Sequence, residues 1–80
     1  MIRLFVLDVP EFRPVIEHAG RSAQSFRKVG DYIEFTSTRA IVIGRRAARV
    51  RRAVWFSSVA ALDGGTLARF DSDELRIVPA

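Results

Sequence analysis

The hydrophobic period of this chain changes at Ala23, which points to a fold that mixes helix with sheet. Before that position "VPEFRPVIEHAG" carries Phe12, Val15, Ile16 and Ala19 at the i, i+3, i+4, i+7 spacing of one helix face. Pro10 and Pro14 sit early in it, where a missing N–H has no intrahelical partner, so the regular helix is expected to begin between them. Gly20 is the expected stop, because glycine takes the left-handed conformation that ends many helices. After Ala23, Phe26 and Val29 approach Gly30-Asp31 and Tyr32 to Thr36 leave it. That is the pattern of a hairpin closed by a Gly-first two-residue loop.

The remaining segments fill in around this pair. "IRLFVLD" reads as a central strand too apolar to have a wet face. A turn around Ser37 to Arg39 leads into "AIVIG", a short buried strand, and "TLARFDSDELRIVP" reads as a second hairpin turned at Asp71-Ser72-Asp73. Between them, a polar turn or short strand through Arg45 to Arg51 is expected, then a helix from about Arg52 to Leu62 stopped by Asp63-Gly64-Gly65. The expected order is β-α-β-β-β-α-β-β: one α+β domain over residues 1–80, an antiparallel sheet of about four to six strands with two helices on one face. Its expected core includes Leu4, Val6, Phe12, Ile16, Ile33, Ile41, Val54 and Ile77.

With 80 residues there is room for one core, and a chain this short buries only roughly 60% of its unfolded surface. Yet 49% of the residues are hydrophobic, which favours covering part of them with another chain. No cysteine is present, so disulfides, thiolate nucleophiles and Cys-ligated metals are excluded. The apolar run in "MIRLFVLDVPEF" is interrupted by Asp8 and lacks a small-residue cleavage site, and no stretch approaches the ~18 apolar residues of a membrane helix. The expectation is a soluble cytoplasmic protein with no membrane contact.

The net charge of +4 is unevenly laid out. From Phe35 to Leu62 there are six arginines and no acid, whereas four acids and two arginines follow from Asp63 to Ala80. Within this basic middle, "GRRAARVRRAVWFSS" packs Arg45, Arg46, Arg49, Arg51 and Arg52 against Ala53-Val54-Trp55-Phe56. A guanidinium donates two parallel hydrogen bonds to phosphate and stays charged, and nearby aromatics stack on bases. Arg and aromatic residues are equally the side chains enriched at the energetic centres of protein interfaces. Adjacent helical residues are ~100° apart, so Trp55 and Phe56 are both buried only if the helix is covered on more than one side.

Other candidate chemistries are weaker. His18 is the only histidine and reads as a solvent-facing residue near a helix C-terminus. Ser57 and Ser58 have no nucleophile elbow around them and read as mid-helix serines against a sheet. Asp71, Asp73 and Glu74 lack the glycine and distal acid of a calcium loop, and Gly64-Gly65 lacks the lysine of a phosphate loop. No catalytic residue, metal ligand or cofactor is assigned, and the chain is expected not to be catalytic by itself. The expected function is a small binding or accessory module acting through self-association as a symmetric dimer, or through a protein partner, with Arg51, Arg52, Trp55 and Phe56 as its contact surface. The alternative is nucleic-acid or other polyanion binding through Arg45, Arg46, Arg49, Arg51 and Arg52. A second alternative is a small molecule held between helix and sheet.

Overall fold

The first strand shows how the sheet divides its residues. In the computed structural model of the chain, which describes residues 1–80, β1 (Ile2–Leu7) buries Ile2, Leu4 and Val6 completely, while Arg3 is exposed and Phe5 and Leu7 are half-buried. Side chains alternate across a strand, so one face of β1 packs on the core and the other stays open. The strand is central as expected, but it does have a wet face. Its neighbours are β3 (Tyr32–Ser37) on one side and β5 (Ala61–Asp63) on the other, and β2 (Ser25–Val29) pairs outside β3. The resulting antiparallel sheet has the order β2-β3-β1-β5.

The hairpin between β2 and β3 is closed by Gly30-Asp31, with Gly30 at φ +58° and Asp31 at ordinary negative φ. Positive φ at the first loop residue alone is the signature of a type II′ turn, whose twist matches that of the strands.

A second antiparallel sheet, β4-β7-β6, is formed by β4 (Ile41–Gly44), β7 (Glu74–Pro79) and β6 (Gly65–Phe70). Its Ile41, Ile43, Leu75 and Ile77 meet Ile2, Leu4, Val6 and Phe35 of the first sheet in one core, completed by Val15 and Ala19 of α1 (Arg13–Ser22). The fold is therefore α+β, with the strands divided between two sheets where one was expected. The division happens at a corner. β5 belongs to the first sheet and β6 to the second, with only Gly64 between them.

That corner corrects the expectation that Gly64-Gly65 stops a helix. Gly64 sits at φ +69°, and a Cβ there would lie 2.0 Å from the Met1 carbonyl oxygen; one on Gly65 would lie 2.8 Å from Ile77 Cγ2. Glycine is needed at the first position for both backbone conformation and space, and at the second for space. Gly20 is also no stop. It lies inside α1, close to Phe26 and Phe35, and the helix ends where Ala23 turns extended and donates its N–H to Ala19 O at 2.8 Å.

The arginine-rich segment forms two short helical pieces, α2 (Arg45–Ala48) and α3 (Arg52–Phe56). The second begins where expected but stops well before Leu62. Ala60 N–H donates to Phe5 O at 2.9 Å, which draws the following residues alongside β1 as a strand. Of the expected core, Leu4, Val6, Ile41 and Ile77 are fully buried, and Phe12, Ile16, Ile33 and Val54 pack against them half-buried. No helix is long and apolar enough to cross a membrane.

Candidate functional site

The structure breaks up the arginine run. Arg45 is a strut: its backbone N–H donates to Asp73 O, its Nε to Ser72 O and its Nη1 to Val50 O. It ties α2 to the β6–β7 turn and is not available to a ligand. Arg46 is exposed, 3.7 Å from Asp73. Arg49 ends α2 in the left-handed conformation, φ 58° and ψ 42°, and Arg51 stands extended at the N-cap position of α3 with no side-chain capping bond. Arg49, Arg51 and Arg52 are exposed and take part in no ion pair. Arg49 and Arg51 line a cleft of about 180 Å³ together with Glu11, Pro14, Val50 and Val54.

The two aromatics that follow have opposite fates. Trp55 is completely buried, stands edge-on to Phe70 with ring centroids 5.7 Å apart, and donates its indole N–H to Asp71 O at 2.6 Å. A side chain so enclosed touches no partner of the folded chain, so Trp55 leaves the expected contact surface. Phe56 remains 48% exposed, its ring 5.4 Å from Phe70. Arg51, Arg52 and Phe56 thus present one aromatic ring and two unpaired guanidinium groups.

The serines and acids near this segment are structural. Ser57 Oγ donates to Ala53 O and Val54 O, and the buried Ser58 Oγ donates to Trp55 O at 2.7 Å, so both satisfy carbonyls at the end of α3. Asp71 Oδ1 accepts the backbone N–H groups of Asp73 and Glu74, each at 2.9 Å, while Arg69 Nε donates to Oδ2 at 2.6 Å. The Arg69 hydrogen bond, followed by the two backbone donors, pulls the Asp71 carboxyl down to about 2. Asp63 is lowered by its hydrogen bond from Arg3, and Asp8 by its hydrogen bond from Lys28. His18 is half-buried on α1, and no group of three or more His, Asp or Glu side chains is placed to hold a metal ion.

A further open apolar surface lies on the four-stranded sheet, where Val29 and Tyr32 are exposed. Strand register arranges its outer face in rows: Val29–Tyr32–Leu7, then Arg27–Glu34–Phe5–Ala61, then Ser25–Thr36–Arg3–Asp63. The rows pass from apolar at the hairpin end to polar at the other. Phe5, Tyr32, Ala60 and Ala61 line a shallow pocket of about 210 Å³ on this face. Glu34 is only 4% exposed in the middle row, and Arg27 Nε donates to it at 2.8 Å. On the opposite face, Phe26 is 64% exposed beside Phe35, at the mouth of a groove of about 310 Å³ lined also by Arg13, Ile16, Glu17 and Gly20.

Every residue of β2 is exposed, and Phe26, Val29 and Tyr32 are all among the large hydrophobic side chains left open. Sequence reasoning placed this hairpin correctly but missed it as a surface. The signal was present: "SFRKVGDYIEF" carries apolar residues at both parities, and only one face of the sheet is covered.

No protein-family model, curated protein or solved structure matches this chain.

Proposed function

We propose that this chain is a small non-catalytic binding module that works by contact with another protein chain, in the first instance a second copy of itself, through the β2–β3 hairpin. The observation that carries the proposal is the concentration of open apolar surface there: Phe26 on one face, Val29 and Tyr32 on the other. Burying such side chains contributes roughly 25 cal/mol per Å² before the entropy of association is subtracted. The surface moves from Trp55 and Phe56 to the hairpin because the core has absorbed Trp55. Light scattering across a concentration series tests it. The expected result is a dimer mass at high micromolar concentration, lost in Phe26→Ser and Tyr32→Ser and kept in Phe56→Ala. A monomer mass throughout would sink the proposal.

A second reading, binding of a nucleic-acid backbone, is supported by the exposed and unpaired state of Arg49, Arg51 and Arg52. Each phosphate neutralised contributes a log–log salt slope of about −0.7 to −0.9. Three unpaired arginines therefore give a slope of about −2 to −3. A flat titration against duplex DNA, single-stranded DNA and RNA at low salt would remove it.

A further inference from the structure

A sheet edge offers unpaired N–H and C=O groups to any passing strand, and folded proteins blunt their edges with short strands, bulges, capping side chains or charges. Three of the four edges here carry such a device. β5 is only three residues long, β6 is broken by a register shift between Leu67 and Arg69, and on β4 the Val42 N–H is taken by Ser22 Oγ at 2.8 Å. β2 carries none of these. It is five residues long with unbroken register to β3 and no proline.

The cations of β2 are each tied to an acid. Arg27 is drawn back onto the sheet by Glu34, and Lys28 Nζ is held 2.5 Å from Asp8 Oδ2, beyond the end of β1. The hairpin geometry then says which groups are free. Val29 and Tyr32 close a two-residue loop as a hydrogen-bonded pair. Alternation therefore turns the backbone groups of Arg27 inward to β3 and leaves those of Phe26 and Lys28 facing outward.

We propose that this edge pairs antiparallel with β2 of a second copy, with Phe26 opposite Phe26, joining the two four-stranded sheets into one continuous sheet across a two-fold axis. This rests on the self-association proposed above and names its geometry. The charges along β2 allow a second copy as the occupant. A two-fold perpendicular to the sheet keeps the same face up in both copies, so only registers that pair residues of equal parity are open. Centring the axis on Arg27 or on Lys28 sets like charges directly opposite each other, which is destabilising. Centring it on Phe26 sets Phe26 against Phe26, Ser25 against Arg27 and Gln24 against Lys28, with no like charges opposed; the Gln24 N–H stays with Thr36 O at 3.0 Å, so Gln24 offers the partner only its carbonyl. The second Phe26 ring then extends the Phe26–Phe35 pair, whose centroids are 6.0 Å apart, and closes the mouth of the groove over Ile16 and Gly20.

Amide hydrogen exchange on the unmodified chain tests the pairing, read by NMR at low micromolar and millimolar concentration alongside the mass in solution. The Phe26 and Lys28 amides are expected to slow at least tenfold at the higher concentration, while the Arg27 amide, already bonded to β3, does not change. A dimer whose Phe26 and Lys28 amides exchange as freely as in the monomer would overturn edge pairing and leave the hairpin contact standing. A monomer at both concentrations would overturn both. Lys28→Pro removes an outward N–H and leaves the inward bonds to β3, so it is expected to weaken association more than tenfold. If the proline impairs folding, Phe26→Ser, which touches no backbone bond, is expected to do the same, and unchanged association in that variant would count against the register.

Discussion

Gly64 is constrained twice over, by its left-handed backbone and by the Met1 carbonyl where a side chain would stand. Left-handed φ costs a non-glycine residue roughly 1–2 kcal/mol and a forced overlap about 1–3 more. Gly64→Ala is therefore expected to lose about 2–5 kcal/mol in urea unfolding. Arg49 holds the same backbone conformation without being glycine. Arg49→Gly relieves that cost but loses about 0.5–1 kcal/mol to chain entropy, so its stability is expected to stay level or rise by up to about 1.5 kcal/mol. Asp71 titrates at about 2 in the fold against an ordinary 3.8. A lowered carboxyl stabilises the fold above its unfolded value and ceases to as pH falls through the folded value. Stability is expected to drop between pH 4 and 2, and Asp71→Asn to flatten that part of the profile. What the sequence could not say at this scale was which of Trp55 and Phe56 turns inward. The decision rests on a carbonyl at Asp71, which accepts the indole N–H only once the second hairpin is in place.

Turn chemistry made the short elements legible and their sheet membership obscure. Gly30-Asp31 and Asp71-Ser72-Asp73 marked both hairpins, because a positive φ and an aspartate bonding its own backbone are local demands. The end of α3 is not local. Its apolar residues run on towards Leu62, but the Phe5 carbonyl on β1 captures Ala60, and the Ser57 and Ser58 hydroxyls close off the last turn. Ser58→Ala is expected to cost only about 1 kcal/mol, since the Trp55 carbonyl keeps the Ser58 N–H at 3.2 Å. The Gly64-Gly65 corner was read as a helix stop for the same reason. Two glycines show that the chain must bend, and only the contacts of Ile2 and Ile77 show that it bends from one sheet into another.

Across the whole molecule, the sequence announced an excess of apolar residues and a basic middle but not where either would surface. The arginine cluster looked like one site because its members are close in sequence. Folding assigns Arg45 to a strut and leaves Arg49, Arg51 and Arg52 facing water. The open apolar surface appears instead on a hairpin with an ordinary composition, because only the layering of α1 and the second sheet determines which face of β2–β3 stays uncovered. Salt is expected to separate the two readings: dimerisation through Phe26, Val29 and Tyr32 should be nearly indifferent to it, and polyanion binding steeply weakened.

The enclosure of Trp55 also gives the chain an internal optical reporter. It is the only tryptophan, and its indole is wedged between α3 and the β6–β7 turn, far along the chain from the β2–β3 hairpin. Its emission is expected to be blue-shifted in the native state and to move red only when the second sheet releases α3. The far-ultraviolet signal, by contrast, sums both sheets. One cooperative core spanning the two predicts coincident midpoints for both probes in a single urea titration. An earlier fluorescence transition would mean that the second sheet comes away while the first still stands.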